Sequence, residues 1–165
     1  MSDVHYMLKD LPLPVQMDEV GVRSPGHEGA GVVVRLGKSV KDWKVGDRAG
    51  IKPMLSVCQN CERCWTGMEQ WCPSSVSTGL QVNGTYQQYI TAPARYTTRI
   101  PDGVPDEVAG PIMCAASTMH QALANAKLKA GEWVVFPGGG GGVGAQGVQL
   151  AKCVASRTID TKHSY

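Results

Sequence analysis

The chain has 165 residues, of which 42% are hydrophobic, 18% are charged and 20 are glycine. Low charge combined with many apolar residues argues against intrinsic disorder. The formal net charge of +2 is too small to indicate a nucleic-acid or membrane surface, so neither partner is expected.

No targeting or membrane-spanning segment is expected from the sequence. The first ten residues lack the basic start and apolar block of a secretory signal, and the longest uncharged run, 133–151, contains seven glycines. A cytoplasmic location is therefore predicted. In that compartment six cysteines indicate metal binding or catalysis more than a disulfide framework.

Up to about residue 105 the chain carries short runs typical of β-strands, separated by glycine and proline turns. The predicted strands are 31–36, 48–51, 86–92 and 96–100. This pattern predicts a small β domain, either a barrel or a sandwich.

Four cysteines within this β region follow the spacing C-x2-C-x2-C-x7-C: Cys58, Cys61, Cys64 and Cys72. Two-residue gaps bring thiolates to a common centre, and four sulfurs complete a tetrahedral Zn²⁺ site. An iron–sulfur cluster is the rival interpretation, because Pro73 follows the last cysteine as in the C-x2-C-x2-C-x3-C-P run of bacterial ferredoxins. The longer last gap and the lack of a second cluster motif favour structural zinc.

Beyond residue 105 the pattern changes to alternating helix and strand. Asp106 and Glu107 supply negative charge where a helix would begin, and 115–129 is rich in helix-forming residues. The apolar run 133–136 predicts a buried strand, and a second helix is expected over 143–155. Strand, glycine loop and helix are the opening of a βαβ unit.

The loop between this strand and helix contains the nucleotide-binding pattern G-x-G-x-x-G. Its glycines are Gly139, Gly141 and Gly144, with Gly142 and Val143 between them. Such glycines permit a tight turn and a close approach of the backbone to a pyrophosphate at the helix N-terminus. Asp160 lies where an acidic residue would bind the ribose hydroxyls of NAD.

A third candidate site lies at residues 26–40, which follow the pattern G-H-E-x2-G-x5-G-x2-V. Together with the cysteine cluster, this pattern resembles the zinc-dependent medium-chain alcohol dehydrogenases, most closely the microbial branch acting on small primary alcohols. The resemblance extends from Ser2 to about Lys152. It implies a mixed α/β chain: a GroES-like β-barrel catalytic domain at 1–108, then a linker helix and the start of a Rossmann domain at 109–165.

The resemblance also implies roles for individual residues. His27 matches the histidine ligand of the catalytic zinc, Cys114 matches a cysteine ligand, and Glu28 matches an occasional substitute ligand. Thr118 falls where the family packs against the nicotinamide.

The N-terminal residues resemble the family's proton path. Ser2 would take the alcohol proton and His5 would deliver it to solvent, with the cofactor ribose between them. Asp3 resembles a carboxylate that orients a zinc ligand.

The family reaction is hydride transfer between a small primary or secondary alcohol and NAD, in a homo-oligomer; nearby basic residues leave NADP open. In the family a first zinc cysteine would stand immediately ahead of Met1, and members are about twice this length. We therefore expect a chain that lacks a piece at each end and shows little or no turnover. The alternative is a catalytically inactive, zinc-stabilised fragment or binding module.

Overall fold

The structure, a computed structural model, describes residues 2–10, 12–13, 16–154 and 157–161, with only the backbone at 160 and 161. The chain divides into two compact units, Met1–Met113 and Cys114–Tyr165. The first unit contains short antiparallel sheets and the second a parallel strand pair with helices. The expected mixed α/β class is confirmed.

The first unit opens with a short helix and continues through five short strands. Its helices and strands are α1 (Ser2–Leu8), β1 (Gly29–Val32), β2 (Arg48–Ile51), β3 (Met54–Ser56), α2 (Glu62–Trp65), β4 (Val76–Ser77), β5 (Thr98–Arg99) and α3 (Asp106–Pro111). Short 3-10 helices occur at Glu69–Trp71 and Ala94–Tyr96. The sheet order is β1-β2-β5, and β3 pairs separately with β4.

The core of the β1-β2-β5 region is small and lies beneath α3. Ile100, Ala109 and Met113 are buried there, with Ala30 and Val104 packed against them. Helix α1 is attached to this unit by Tyr6, which is 1% exposed and donates its hydroxyl hydrogen to the carbonyl oxygen of Leu80 at 2.9 Å. This contact fixes the helix that carries Ser2, Asp3 and His5.

The second unit begins in a π-helical segment (Ile112–Ala116) and continues into α4 (Ser117–Ala126), β6 (Trp133–Pro137), α5 (Gly142–Cys153) and β7 (Arg157–Thr161). Helix α4 ends at Ala126 because the next residue, Lys127, has a left-handed φ of 51°, so the helix is shorter than the sequence suggested. Strands β6 and β7 pair in parallel, with Phe136 opposite Asp160. This strand–loop–helix–strand order is the predicted βαβ arrangement.

Some predicted strands were wrong. The run 86–92 is not a strand. At its start the backbone amides of Thr85 and Tyr86 donate to the carbonyl oxygens of Gly26 and Pro25, where the two chain segments cross. This chain crossing takes the place of a ladder with a neighbouring strand. The strand predicted at 31–36 instead begins at Gly29 and ends at Val32. Within the described residues, no helix is long and apolar enough to cross a bilayer.

Candidate metal centres and glycine loop

The four clustered cysteines lie on two short helical turns and the loop that follows β3. Cys58 follows that strand, Cys61 is the N-cap of α2, Cys64 lies within α2, and Cys72 ends the 3-10 helix. Thr66 holds the end of α2 by donating its hydroxyl to the carbonyl oxygen of Glu62 at 2.8 Å. Short helices with little core of their own therefore place all four thiols on one side of the loop.

The sulfur atoms have the separations that a single tetrahedral ion requires. All four lie within 4.8 Å of one another. The Sγ–Sγ distances are 3.5 Å for Cys58 and Cys72, 3.6 Å for Cys61 and Cys64, and 3.9 Å for Cys58 and Cys64. A tetrahedron with Zn–S bonds of about 2.3 Å has edges of about 3.8 Å. The donor set fits zinc, whereas an iron–sulfur cube binds its sulfurs at separate irons and needs wider spacing.

Without an ion, the pKa values of the Cys72 and Cys64 thiols are shifted in opposite directions. The backbone N–H of Cys58 approaches the Cys72 sulfur at 3.5 Å and lowers the pKa of that thiol to about 7. Burial raises the pKa of Cys64 to about 12. Because a metal binds the thiolate form, an ion must displace protons as it binds here.

The cysteine cluster is also part of a small apolar core. Cys72 is 4% exposed and packs with Val57 and Tyr96, and the half-buried Cys61 and Cys64 lie against the same group. Because this core is small, a bound metal would supply much of the stability of the loop.

The loop containing His27 and Glu28 is held by a second chain segment. The amide of Thr85 donates to the Gly26 carbonyl at 2.9 Å, and its hydroxyl donates to the Glu28 carbonyl at 3.1 Å. Upstream, the Asn83 side-chain oxygen accepts from the amides of Arg23 and Ser24. These bonds on both sides of His27 restrict the backbone at that position.

The His27 ring is oriented by the carboxylate of Asp3. Nδ1 of His27 lies 2.8 Å from Oδ1 of Asp3, and the two side chains are only 19% and 13% exposed. Tyr86 stands near the same acidic groups: burial raises its pKa, and the negative charges of Asp3 and Glu28 raise it further. A half-buried, carboxylate-held histidine is the arrangement usual for a metal ligand.

His5, in the middle of α1, pairs with Asp10, which follows the helix. Nδ1 of His5 lies 2.9 Å and 3.0 Å from the two carboxylate oxygens. The helix ends when Lys9 adopts a left-handed φ of 59°, and this turn brings Asp10 back towards His5. Ser2, at the other end of the helix, is exposed.

Two further predicted residues belong to the second unit. Cys114 is half-buried in the π-helical segment, and its carbonyl oxygen accepts from the Ser117 hydroxyl at 2.9 Å. Thr118 lies exposed in the first turn of α4.

The glycine loop connects β6 to α5 through two tight turns. The Gly139 amide donates to the Phe136 carbonyl at 3.1 Å, and the Gly141 amide donates to the Gly138 carbonyl at 2.9 Å. Helix α5 begins at Gly142, so the amides of its first turn, at Gly142, Val143 and Gly144, point out of the helix end. This is the geometry of a phosphate-binding helix N-terminus.

Replacing Gly144 with alanine is expected to disrupt this loop. A Cβ at Gly144 would collide with the carbonyl oxygen of Gly138 and lie 2.6 Å from Cα of Gly139. Because backbone atoms cannot move away cheaply, we expect a stability loss of about 2 kcal/mol by denaturant unfolding. Gly142→Ala is the matched control, since no described atom lies within 4 Å of its added Cβ. Equal stability of the two variants would contradict this account of the loop.

The structure brings together some of the predicted residues. The four clustered cysteines share one centre, and the loop glycines share one turn, while the side chain of Asp160 lies outside the described part of the chain. Sequence reasoning missed Tyr86 as a neighbour of the Asp3–His27 pair and Asp10 as the partner of His5. Neither contact has a sequence signal, because both depend on how the chain turns back.

Comparison with known proteins gives a consistent assignment. Residues 1–102 match the family model described as "Alcohol dehydrogenase GroES-like domain". The chain is 48% identical over 158 residues to an alcohol dehydrogenase of Schizosaccharomyces pombe, covering 96% of this chain and 44% of that protein. The chain thus spans less than half the length of this curated relative.

Solved structures agree in fold. One is CAD from Helicobacter pylori complexed with NADP(H), with a TM-score of 0.85 and 25% identity, covering 99% of this chain and 48% of that one. Another is a cobalt- and zinc-bound thermostable alcohol dehydrogenase from Pyrobaculum aerophilum, with a TM-score of 0.76 and 27% identity, covering 90% and 47%. The chain belongs to the medium-chain, zinc-dependent alcohol dehydrogenase family, through its GroES-like domain.

Proposed function

We propose that this chain carries the metal and cofactor sites of a zinc-dependent oxidoreductase of the alcohol dehydrogenase type, whose reaction is hydride transfer between a small primary or secondary alcohol and NAD. The observation that supports it most is the 2.8 Å contact between Asp3 and the His27 ring in a loop fixed on both sides. A ring held through Nδ1 directs Nε2 towards a metal.

Two metal sites are assigned to the chain. The cysteine cluster Cys58, Cys61, Cys64 and Cys72 would hold a structural zinc, because it offers four sulfurs at tetrahedral separations. By the family resemblance, His27 and Cys114 would hold a catalytic zinc, with Glu28 as an occasional substitute ligand. Histidine and cysteine are the two donor types that the catalytic zinc site of an alcohol dehydrogenase combines.

When bound, zinc would polarise the alcohol oxygen and the nicotinamide would accept the hydride. The chain's own groups would move the proton. Ser2 would accept it from the alcohol, and His5, whose ring is held through Nδ1 by the Asp10 carboxylate, would release it to solvent. Glu28 and Asp3 supply negative charge around His27.

The cofactor would lie at the glycine loop. Amides of Gly142, Val143 and Gly144 at the start of α5 would bind the pyrophosphate, made accessible by Gly139 and Gly141. Thr118 would contact the nicotinamide and Asp160 the ribose. The Helicobacter pylori relative is complexed with NADP(H), so both cofactors belong in the assay. The cytoplasmic location and the homo-oligomer stay predictions.

The direct test is alcohol-dependent reduction of NAD⁺ or NADP⁺ by the zinc-loaded protein. Reduction that disappears in Cys114→Ala but persists in Cys153→Ala supports the proposal, since Cys153 is an exposed cysteine outside both sites. If the zinc-loaded protein reduces neither NAD⁺ nor NADP⁺, and neither cofactor raises its Tm, the result supports a non-catalytic domain, which is the second candidate.

The second candidate is a non-catalytic, zinc-stabilised domain or binding module. It is favoured by the second unit, where Trp133, Val135 and Ile159 are 59%, 51% and 44% exposed on a two-stranded parallel sheet. Parallel strands are usually covered on both faces, and a cofactor site built on them needs that support.

Asp3→Asn is expected to weaken metal binding at the His27 site by about tenfold to a hundredfold, because an amide orients and polarises the ring less than a carboxylate does. The measurement is a cobalt titration followed by absorption, after the cysteine cluster has been filled with zinc. Asp10→Asn is the control, because Asp10 pairs with His5 instead. Unchanged cobalt affinity in Asp3→Asn would contradict the assigned role of Asp3.

A further inference from the structure

Only one residue of helix α1 is buried. It is Tyr6, whose exposed fraction is 1%. The helix has seven residues, too few to be stable alone, so its position depends on what its side chains contact. The ion pair that follows the helix, between Lys9 and Asp18 at 2.6 Å, is exposed on both sides and contributes little. Apart from the contact between Asp3 and His27, Tyr6 therefore holds α1 in place.

Tyr6 and Asp3 lie on the same face of this helix. They are three residues apart, a spacing at which side chains on a helix are neighbours. Nδ1 of His27 lies 2.8 Å from the Asp3 carboxylate, and the Tyr6 hydroxyl donates to the carbonyl oxygen of Leu80 at 2.9 Å. Because one helical turn joins the two side chains, a displacement at Tyr6 also displaces the Asp3 carboxylate.

The carbonyl that accepts from Tyr6 belongs to a turn packed against the residue before His27. The Leu80 amide donates to the Ser77 carbonyl at 3.4 Å within this turn. An added Cβ at Gly79, in the same turn, would lie 2.8 Å from the carbonyl carbon of Gly26. Backbone segments packed this closely cannot shift independently. The turn and the start of the His27 loop therefore form one frame, to which the helix is tied.

The Tyr6 hydroxyl keeps its hydrogen, which this bond requires. Burial raises the pKa of the phenol, and the negative charges of Asp18 and Glu19 raise it further. A neutral phenol donates a hydrogen bond to a carbonyl oxygen, whereas a phenolate can only accept one. The bond to Leu80 is therefore retained throughout the pH range in which histidine changes its charge.

We infer that Tyr6 is a positioning residue of the His27 site: by bonding the Leu80 carbonyl, it holds α1 where the Asp3 carboxylate reaches the His27 ring. The inference rests on the proposed metal site at His27, although the contact between Asp3 and His27 is present without an ion. Carboxylates that orient a histidine ligand change metal affinity by about tenfold to a hundredfold. A small displacement of Asp3 is therefore measurable.

The direct test is Tyr6→Phe, which removes the hydroxyl and keeps the buried ring. It is made on protein with zinc in the cysteine cluster and no metal at His27. Nuclear magnetic resonance follows the exchange with water of the His27 Nδ1 hydrogen, which the Asp3 carboxylate accepts. This exchange should be about fivefold faster in Tyr6→Phe, the factor that corresponds to one lost hydrogen bond. An unchanged exchange rate would overturn the inference.

The cobalt affinity of the His27 site gives a second readout. Tyr6→Phe should weaken it by about fivefold in the parent protein, but by about twofold or less in Asp3→Asn, because Tyr6 acts through Asp3. Equal weakening in both backgrounds would mean that the hydroxyl only supports the fold, and the inference would be wrong. If the parent protein binds no cobalt at His27, the proposed metal site fails, while the exchange of the Nδ1 hydrogen still decides the role of Tyr6.

Ile100→Val is the matched control. Ile100 is 5% exposed in the core beneath α3, and the loss of one methylene there should lower the folding equilibrium constant about as much as Tyr6→Phe does. The exchange rate of the Nδ1 hydrogen and the cobalt affinity should both keep their parent values in this control. If Ile100→Val changes them as much as Tyr6→Phe does, the effect is a general loss of stability and the inference is overturned.

Discussion

Cys58→Ser is expected to abolish tight zinc binding at the cysteine cluster and to lower the stability of the first unit by roughly 3 kcal/mol or more, about 10 °C in Tm. Cys58 is exposed, so the serine leaves no cavity and buries no new polar group. The effect therefore reports the lost ligand alone. The three remaining sulfurs lie within 4.8 Å of one another but no longer complete a tetrahedron.

The measurement combines elemental analysis with thermal unfolding, with and without a chelator. Chelation should lower the Tm of the parent protein by at least as much as the substitution does, and should lower the Tm of Cys58→Ser less, because that variant can lose only the ion at the His27 site. Cys153→Ser is the matched control, since Cys153 is also exposed but lies outside the cluster. If Cys58→Ser keeps the zinc content of the parent and the Tm of the control, the cluster is not a metal site.

Gly84→Ala is expected to cost about 3 kcal/mol and to displace the His27 loop. Gly84 is buried where its segment crosses residues 24–26, and an added Cβ would collide with the Gly26 carbonyl oxygen. The Cβ would also lie 2.7 Å from Cα of Gly79. All these neighbours are backbone atoms, so the chain crossing itself must open.

The readouts are the denaturant midpoint and the metal affinity at His27, because the same crossing supplies the Thr85 bonds on either side of that residue. Gly31→Ala is the matched control: Gly31 lies in β1, and no described atom approaches within 4 Å of its added Cβ. A Gly84→Ala protein as stable as this control, with unchanged metal affinity, would contradict the role of the crossing.

The cysteine cluster and the glycine loop could be predicted from the sequence because both are local. Two-residue gaps bring Cys58, Cys61 and Cys64 together through one helical turn, without help from distant segments. The glycine loop is likewise formed by neighbours, with Gly144 set against Gly138. Spacing alone therefore carries the geometry of both features.

The His27 site depends on contacts that no local pattern encodes. Asp3 reaches His27 across 24 residues, and Thr85 reaches Glu28 across 57. Only the family resemblance indicated Asp3 and His27, and nothing indicated Tyr86. The failed strand at 86–92 has the same origin, because the crossing with residues 24–26 takes the backbone bonds that a ladder would have used.

Metal content per chain tests the central claim most directly, by elemental analysis of the purified protein together with its Cys58→Ser and His27→Ala variants. The account predicts two zinc ions in the parent and one in each variant, the remaining ion being at the other site. A parent protein with a single zinc that only Cys58→Ser removes would contradict the catalytic metal site at His27. Iron in place of zinc, or no metal at all, would contradict the assignment of both sites.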